Sequence, residues 1–307
     1  MIYGFMQKYV NQFEICKMAK IFKVSRAGYY KHVGQLESKQ SQANRTLLEK
    51  IKVIYTEKRE VYGSPRIYRE LKRVGEACSR KRVAKLMRVN QIRAKSIRRW
   101  RPAGKTGRDA TLIAPNLVAQ NFNVQEPDQI WVLDITYIHT SEGWLYLSTV
   151  MDLFSRKIVG FSMGDCVDTA LVKSSLQQAI YLRQPKIGLI LHSDRVSQYT
   201  SRDYHHLAML HGFKISMSAQ GYCYDNAVME SFYHTLKMEH VYLRKYRSRP
   251  EAMLSIFEYI EVFYNRQRSH SFLNYLSPEE FERQNQHLFQ IINPQSRVKL
   301  ALPAIEA

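Results

Sequence analysis

Three acids stand where a carboxylate is poorly tolerated: Asp134 inside the apolar run IWVLDITYIHT, Asp194 at the end of GLILHSD, and Glu230 within AVMESFYHTLK. Aspartate is disfavoured in strands, and the neighbours Trp131, Val132, Leu133 and Ile135 make its surroundings half-buried, where an unpaired carboxylate carries a heavy desolvation cost. A salt bridge ordinarily answers one such residue. Three brought together ask for more compensation than single Lys or Arg side chains give. A divalent cation supplies it. Hard oxygen donors with open coordination positions suit Mg²⁺ or Mn²⁺, and two ions about 4 Å apart activate an attacking oxygen while stabilising a leaving one. The chemistry open to this set is phosphoryl transfer.

Other chemistries find less support. His192 and Ser193 precede Asp194 and are expected to shape the strand end; no acid is positioned to orient a Ser-His pair, so a serine hydrolase is not supported. Cys16, Cys78, Cys166 and Cys223 are scattered, without a CxxC pair or a His at zinc spacing, and read as reduced and structural. Asn226, Glu230, His234 and Lys237 recur on one face of a helix and can line one groove, with His234 read as surface cover. Trp131 and Trp144 are candidate nucleotide-stacking platforms, but as strand aromatics they are expected in the core. Tyr199 and Tyr222, in loops beside the acids, are the aromatics expected to stack on nucleotides.

The elements that would position the acids follow from hydrophobic periodicity. IWVLDITYIHT, WLYLSTVMDLF and RKIVGFSM predict three adjacent strands in a meander. A helix over 170–183, the strand GLILHSD, a helix over 202–211, the short strand KISM and a helix from about 227 give the order βββαβαβα. Residues 250–268 predict an amphipathic helix with Met253, Phe257, Ile260 and Phe263 on its buried stripe. Ahead of this region, Pro102, Gly104, Gly107, Pro115 and Pro127 punctuate a polar stretch that reads as a linker over 101–127.

Charge separates the two halves. Residues 1–110 hold 28 Lys and Arg against 8 Asp and Glu, whereas residues 111–307 hold 18 against 19. A polyanionic partner for the first part follows. Residues 13–32 carry Ile15, Met18, Ala19 and Phe22 at helical spacing, then Ser25 as an N-cap before a second short helix, the pattern of a helix-turn-helix. Residues 44–99 add a helix through Leu47, Leu48, Ile51 and Ile54, the turn YGSPR, a helix around 67–72 and the basic run SRKRVAKLMRVNQI. In that run Val83, Leu86 and Met87 form the apolar stripe, and Arg80, Lys81, Arg82, Lys85 and Arg88 occupy the other faces. A solvated helix surface interleaves both signs, but 79–101 has no acid, which favours phosphate contact. No stretch approaches the roughly 18 apolar residues of a spanning helix and no signal peptide opens the chain, so a cytoplasmic, nucleoid-associated protein without a membrane partner is expected.

The separation of the acids, with 59 residues between Asp134 and Asp194 and 35 between Asp194 and Glu230, resembles a DDE catalytic core. WVLDITY, LYLSTVMDLFSRKIVG, HSDRVSQYTS, CYDNAVMESFYHTLK and FYNRQRSHSFLNYLSPEEF together resemble the second-frame transposases of the IS3 family of bacterial insertion sequences, over nearly the whole chain. The resemblance implies an α/β fold: a ribonuclease-H-like core related to retroviral integrases, with a mixed five-stranded sheet and flanking helices, preceded by an all-α basic region. The resulting organisation is a helix-turn-helix-like segment at 1–40, a basic helical DNA-binding module at 44–100, the linker at 101–127, the catalytic core at 128–285 and a tail at 286–307.

The resemblance also implies that Asp134, Asp194 and Glu230 hold Mg²⁺ or Mn²⁺, two ions in all, and that Lys237 contacts DNA at an element end. It implies double-stranded DNA, both element ends and target, as partner, a homo-oligomer during synapsis, and a circular intermediate. The chain opens as a second-frame product, so a first-frame protein or frameshift fusion is a further expected partner. Two positions depart from the family strings. Val196 stands where relatives carry glycine, and a positive φ there would strain a β-branched residue by about 1–3 kcal/mol. Ala219, Gln220 and Tyr222 replace basic and amide residues in a DNA-facing loop. These departures keep open an alternative, a catalytically weakened DNA-binding regulator of transposition.

Overall fold

The computed structural model describes residues 2–34, 39–95, 113–119, 124–218 and 226–287. It divides into two compact units, residues 1–93 and 94–307.

The first unit is all helical. Helix α1 (Ile2–Lys8), which the sequence patterning did not single out, joins α2 (Ile15–Ile21) and α3 (Arg26–Val33) around a small core of Met6, Met18, Ala19 and Tyr29. Ser25 caps α3 as predicted, its side chain accepting a bond from Gly28 N at 3.0 Å. Helices α4 (Lys39–Glu57), α5 (Ser64–Arg73) and α6 (Arg80–Val89) follow, burying Leu47, Ile51, Ile67, Leu71, Val83 and Met87. Arg80, Lys81, Lys85 and Arg88 are exposed along α6. Arg82 is half-buried, and its Nε donates to Asn44 Oδ1 at 2.8 Å, tying α6 to α4.

The second unit is built on a five-stranded mixed sheet in the order β3-β2-β1-β4-β5, with helices flanking it, the ribonuclease-H-like arrangement expected. Strands β1 (Ile130–Thr140), β2 (Gly143–Asp152) and β3 (Ile158–Gly164) form the antiparallel meander. Strands β4 (Ile190–Ser193) and β5 (Lys214–Met217) add in parallel beside β1. Helices α7 (Thr169–Arg183) and α8 (Arg202–Leu210) supply the crossovers, and their apolar faces close a core with Trp131, Leu133, Ile135, Val150 and Leu191. Packing of α7 on β3 is close enough that a methyl group at Gly160 would lie 2.3 Å from the Ser175 carbonyl oxygen, so no larger residue fits there without moving the helix.

The predicted linker begins the core earlier than expected. Met217 N donates to Pro115 O at 3.3 Å and Leu117 N to Ser216 Oγ at 2.9 Å, so residues 115–117 run along β5, with Val118 buried. An open strand edge satisfies its backbone groups in this way. Residues 101–112 of that linker, and the predicted tail beyond residue 287, lie outside the described residues.

After α9 (Ala227–Glu239), helix α10 (Arg249–Glu258) passes into one turn of π-helix at Tyr259–Tyr264, and α11 (Pro278–Gln284) follows. The π turn inserts extra chain per turn and rotates the buried face. Ala252, Ile256, Tyr259, Ile260, Phe263 and Tyr264 are therefore inside, while Phe257 is exposed and Met253 only half-buried, a correction to the predicted stripe. No helix among the described residues is long and apolar enough to cross a membrane.

Candidate active site

The parallel ladder brings two of the three acids together. It pairs Ile130 with Ile190, Trp131 with Leu191 and Val132 with His192, a constant offset of 60 that also separates Asp134 from Asp194. Asp194 follows the last residue of β4, so it emerges beside Asp134 where the neighbouring strand stops. Both carboxylates line one cleft of about 260 Å³ with Ile135, Tyr137, Tyr146, Val167, Val196 and Gln198. A crevice at the carboxyl ends of parallel strands is where this class of sheet places ligands.

Their negative field reaches the groups beneath. Tyr199 and Tyr233 are held well above the ordinary tyrosine range, first by burial and then by the adjacent charge of Asp134, with Asp194 contributing to both. Two half-buried carboxylates of like charge, sharing an open cleft and offering hard oxygen atoms, have the donor chemistry that suits a divalent cation.

Glu230 stands differently. It occupies the first turn of α9 and is exposed, and among the described residues no three His, Cys, Asp or Glu side chains lie close enough to hold a metal ion. The helix that carries it is nonetheless fastened to the site. Asn226 Nδ2 donates to Leu133 O at 3.3 Å, and Tyr233 Oη donates to Asp134 O at 2.6 Å. Tyr233 Oη also lies 2.7 Å from Thr149 Oγ1, so with its proton committed to Asp134 it accepts from that threonine. These two bonds hold the carbonyls of Leu133 and Asp134, and Glu230 lies between Asn226 and Tyr233 in sequence with its side chain exposed.

Asn226 is buried, and its Nδ2 bonds β1. Lys237 lies at the cleft rim, its Nζ 4.6 Å from the ring centre of Tyr137, which lines that cleft. His234 is exposed on the surface of α9. His192 is fully buried, with Nδ1 2.8 Å from Ser216 Oγ and Nε2 3.3 Å from Ser218 Oγ, and so shapes the strand end as expected.

Two aromatic assignments reverse. Tyr199 is 0% exposed and packs edge-on to Tyr204 in the core, so it has no face to offer a nucleotide. Trp144, expected inside, is 45% exposed. The strain foreseen at Val196 is absent too, since its φ is not positive; its side chain lines the cleft and packs on the core, and its carbonyl accepts from Tyr199 N at 3.1 Å. Tyr222, with Ala219 and Gln220, lies outside the described residues.

An integrase core domain matches residues 124–223 and again 230–286, and an HTH-like domain matches residues 41–100. The chain is 42% identical over 264 residues to a 31 kDa protein of insertion element IS600 from Shigella sonnei, covering 86% of this chain and 97% of that one. It is 37% identical over 287 residues to transposase InsF of insertion sequence IS3A from Escherichia coli strain K12, covering 93% and 99%. The crystal structure of the catalytic core domain of BIV integrase overlays with a TM-score of 0.39 at 16% identity, over 52% of this chain and 97% of that one. With identity of this degree running through both the helical unit and the core, the chain belongs to the IS3 family of transposases, which carry an HTH-like domain ahead of an integrase core.

Proposed function

We propose that this protein is a DDE-type polynucleotidyl transferase that cleaves and joins DNA strands at insertion-sequence ends, with Asp134, Asp194 and Glu230 as its catalytic carboxylates. The observation that carries the reading is the β1–β4 register, which sets Asp194 beside Asp134 in one cleft. Asp134, Asp194 and Glu230 would hold Mg²⁺ or Mn²⁺, two ions in the full site, which supply activation of the attacking oxygen and neutralisation of the leaving one.

The chain's own residues do the rest. Asn226 and Tyr233 fix the backbone around Asp134 by donating to Leu133 O and Asp134 O. Their bonds hold α9, which carries Glu230, against β1. Lys237 neutralises a phosphate at the rim. Water or a 3′-hydroxyl attacks phosphorus in line, and the departing 3′-oxygen leaves with the scissile bond's electron pair. The exposed Arg80, Lys81, Lys85 and Arg88 of α6 hold the duplex by its phosphates.

Purified protein and its Glu230→Gln variant, given labelled element-end DNA and Mg²⁺, test the reading on a denaturing gel. Nicked and joined products are expected from the parent and not from the variant. The exposed position of Glu230 and the valine side chain in the cleft favour a second reading, a regulator that occupies element ends without cutting them. DNA binding with no products from the parent in either Mg²⁺ or Mn²⁺ would select it.

The basic face of α6 has its own signature. Alanine at Lys81, Lys85 and Arg88 together should weaken duplex binding at every sequence tested and flatten the plot of log affinity against log salt by about 0.9 for each phosphate no longer neutralised. Arg82→Ala should leave that slope unchanged and lower the melting temperature instead, because its guanidinium bonds Asn44. An unchanged slope in the triple variant would remove α6 from the interface.

A further inference from the structure

The β1–β2 hairpin carries an exposed aromatic cluster that the core does not explain. Register pairs Tyr137 with Tyr146 and His139 with Trp144 across the two strands. Trp144 is 45% exposed and Tyr137 38%, and the Trp144 ring meets Tyr137 edge-to-face at 5.1 Å and His139 at 5.2 Å. Water-facing aromatics of this size, touching one another instead of the interior, cost solubility that a purely structural hairpin would not retain.

The surroundings of the cluster indicate its partner. Tyr137 and Tyr146 also line the cleft that holds Asp134 and Asp194. At the hairpin tip Thr140 bridges Tyr246, and Ser141 N donates to Tyr246 O at 3.0 Å, which fastens the segment RKYRSR at 244–249 alongside the turn. Arg244, Lys245 and Arg247 line that segment, and Arg249 Nε donates to Trp144 O at 3.0 Å. Residues 111–307 hold 18 Lys and Arg against 19 Asp and Glu, and four of those cations, with no acid among them, fall within this one segment beside Trp144. Cations along a track with aromatic rings beside it are what recognise a single nucleic-acid strand, the cations taking phosphates and the rings stacking bases. A duplex keeps its bases stacked within and cannot use the rings.

We propose that Trp144, braced edge-on by Tyr137 and beside the basic segment that carries Lys245 and Arg247, forms a stacking platform for unpaired nucleotides of a DNA strand entering the catalytic cleft. This rests on the reading of that cleft as a site acting on DNA, and adds that the strand is unpaired beside it. His139 meets the Trp144 ring at 5.2 Å, and Lys237 Nζ covers the Tyr137 ring at 4.6 Å, which leaves Trp144 as the stacking surface.

The full-length chain, without metal, is titrated with two DNAs sharing one duplex, one blunt and one bearing an unpaired tail of about six nucleotides. Because the basic helical unit meets the same duplex in both, the ratio of the two affinities isolates the platform. The tailed DNA should bind about ten-fold tighter, a ratio falling to near one in Trp144→Ala and in Lys245→Ala/Arg247→Ala and largely recovering in Trp144→Phe. Blunt-duplex affinity should stay within about two-fold, which also shows that the variants fold. Equal affinities for tailed and blunt DNA in the parent, or a ratio that survives Trp144→Ala, would overturn the proposal. So would a variant whose sole change is a shift from dimer to monomer in sedimentation, which would make the cluster an interface between copies. The ratio is read without cleavage, and Asp134→Asn should preserve it, so a failure of the catalytic reading in the nicking assay stays distinguishable from a failure here.

Discussion

Asp194→Asn should abolish strand cleavage and joining while making the metal-free protein more stable. The two aspartates share one cleft at adjacent strand ends, so without a cation their charges repel and both are partly withdrawn from water. Asparagine keeps the shape and removes one charge. A gain of about 1 kcal/mol is expected, or a melting temperature higher by about 2–4 °C for a unit of this size. Activity should move oppositely and far more. Loss even of groups that merely orient metal ligands costs about 10- to 100-fold, so loss of a ligand itself should exceed about 100-fold. A third measurement links the two: Mg²⁺ or Mn²⁺ should raise the melting temperature of the parent and leave the variant's nearly unchanged, since only a state that binds the ion gains from it. A variant that melts lower than the parent in the absence of metal, with no cation response in either protein, would mean that the two carboxylates are not a ligand pair.

That opposition of stability and activity explains which parts of the site could be read from the sequence. Asp134 is legible because a carboxylate among Trp131, Val132, Leu133 and Ile135 contradicts the local pattern, and local contradictions mark function. Asp194 is legible because the strand before it ends there. The meander follows from short turns, the parallel additions from crossover lengths, and Ser25 from cap chemistry. Burial of individual aromatics is not legible. Periodicity puts Trp144 and Trp131 alike on strands, but Trp131 lies fully buried against Phe213 while Trp144 sits beside the hairpin turn with nearly half its surface in water. Tyr199 has the sequence neighbours of a loop residue, yet the loop folds inward and its ring meets Tyr204. The shifted stripe of α10 has a different origin, since a π turn changes the period that stripe reading assumes. Asn226 and Arg82 look like surface groups by composition, and the bonds they make are hidden because their partners, Leu133 O and Asn44, are distant in sequence.

The same distance hides a buried charge network on which α11 depends, and its removal gives the largest expected effect on stability. Arg183, at the end of α7, donates from Nε to Asp128 Oδ1 at 2.9 Å and from NH1 to Glu282 Oε1 at 2.9 Å, joining the entry to β1 with α11. Asp152, fully buried at the end of β2, takes bonds from Asp128 N, Ser155 N and Ser155 Oγ. Burial, then the neighbouring charge of Asp128, pushes the Asp152 carboxyl up from its ordinary 3.8 to about 7 even with Arg183 opposing. Arg183→Met removes the guanidinium that bridges Asp128 and Glu282, and Lys157, whose Nζ lies 2.9 Å from Glu282 Oε2, reaches only one of the clustered acids in its place. Breaking such a buried set by removing one partner costs about 3–5 kcal/mol, a fall of roughly 10 °C in melting temperature. The pH dependence has a definite sign. A carboxyl whose folded pKa exceeds its unfolded value binds protons preferentially when folded, so it contributes stability as pH falls from about 7 toward 3.8. The deficit of Arg183→Met should therefore be larger at pH 8 than at pH 5.5, and Glu282→Gln added to it should recover part of the loss by removing an uncompensated charge. A deficit that is independent of pH, or that the second substitution deepens, would show that Arg183 acts through the packing of its aliphatic stem rather than through its charge.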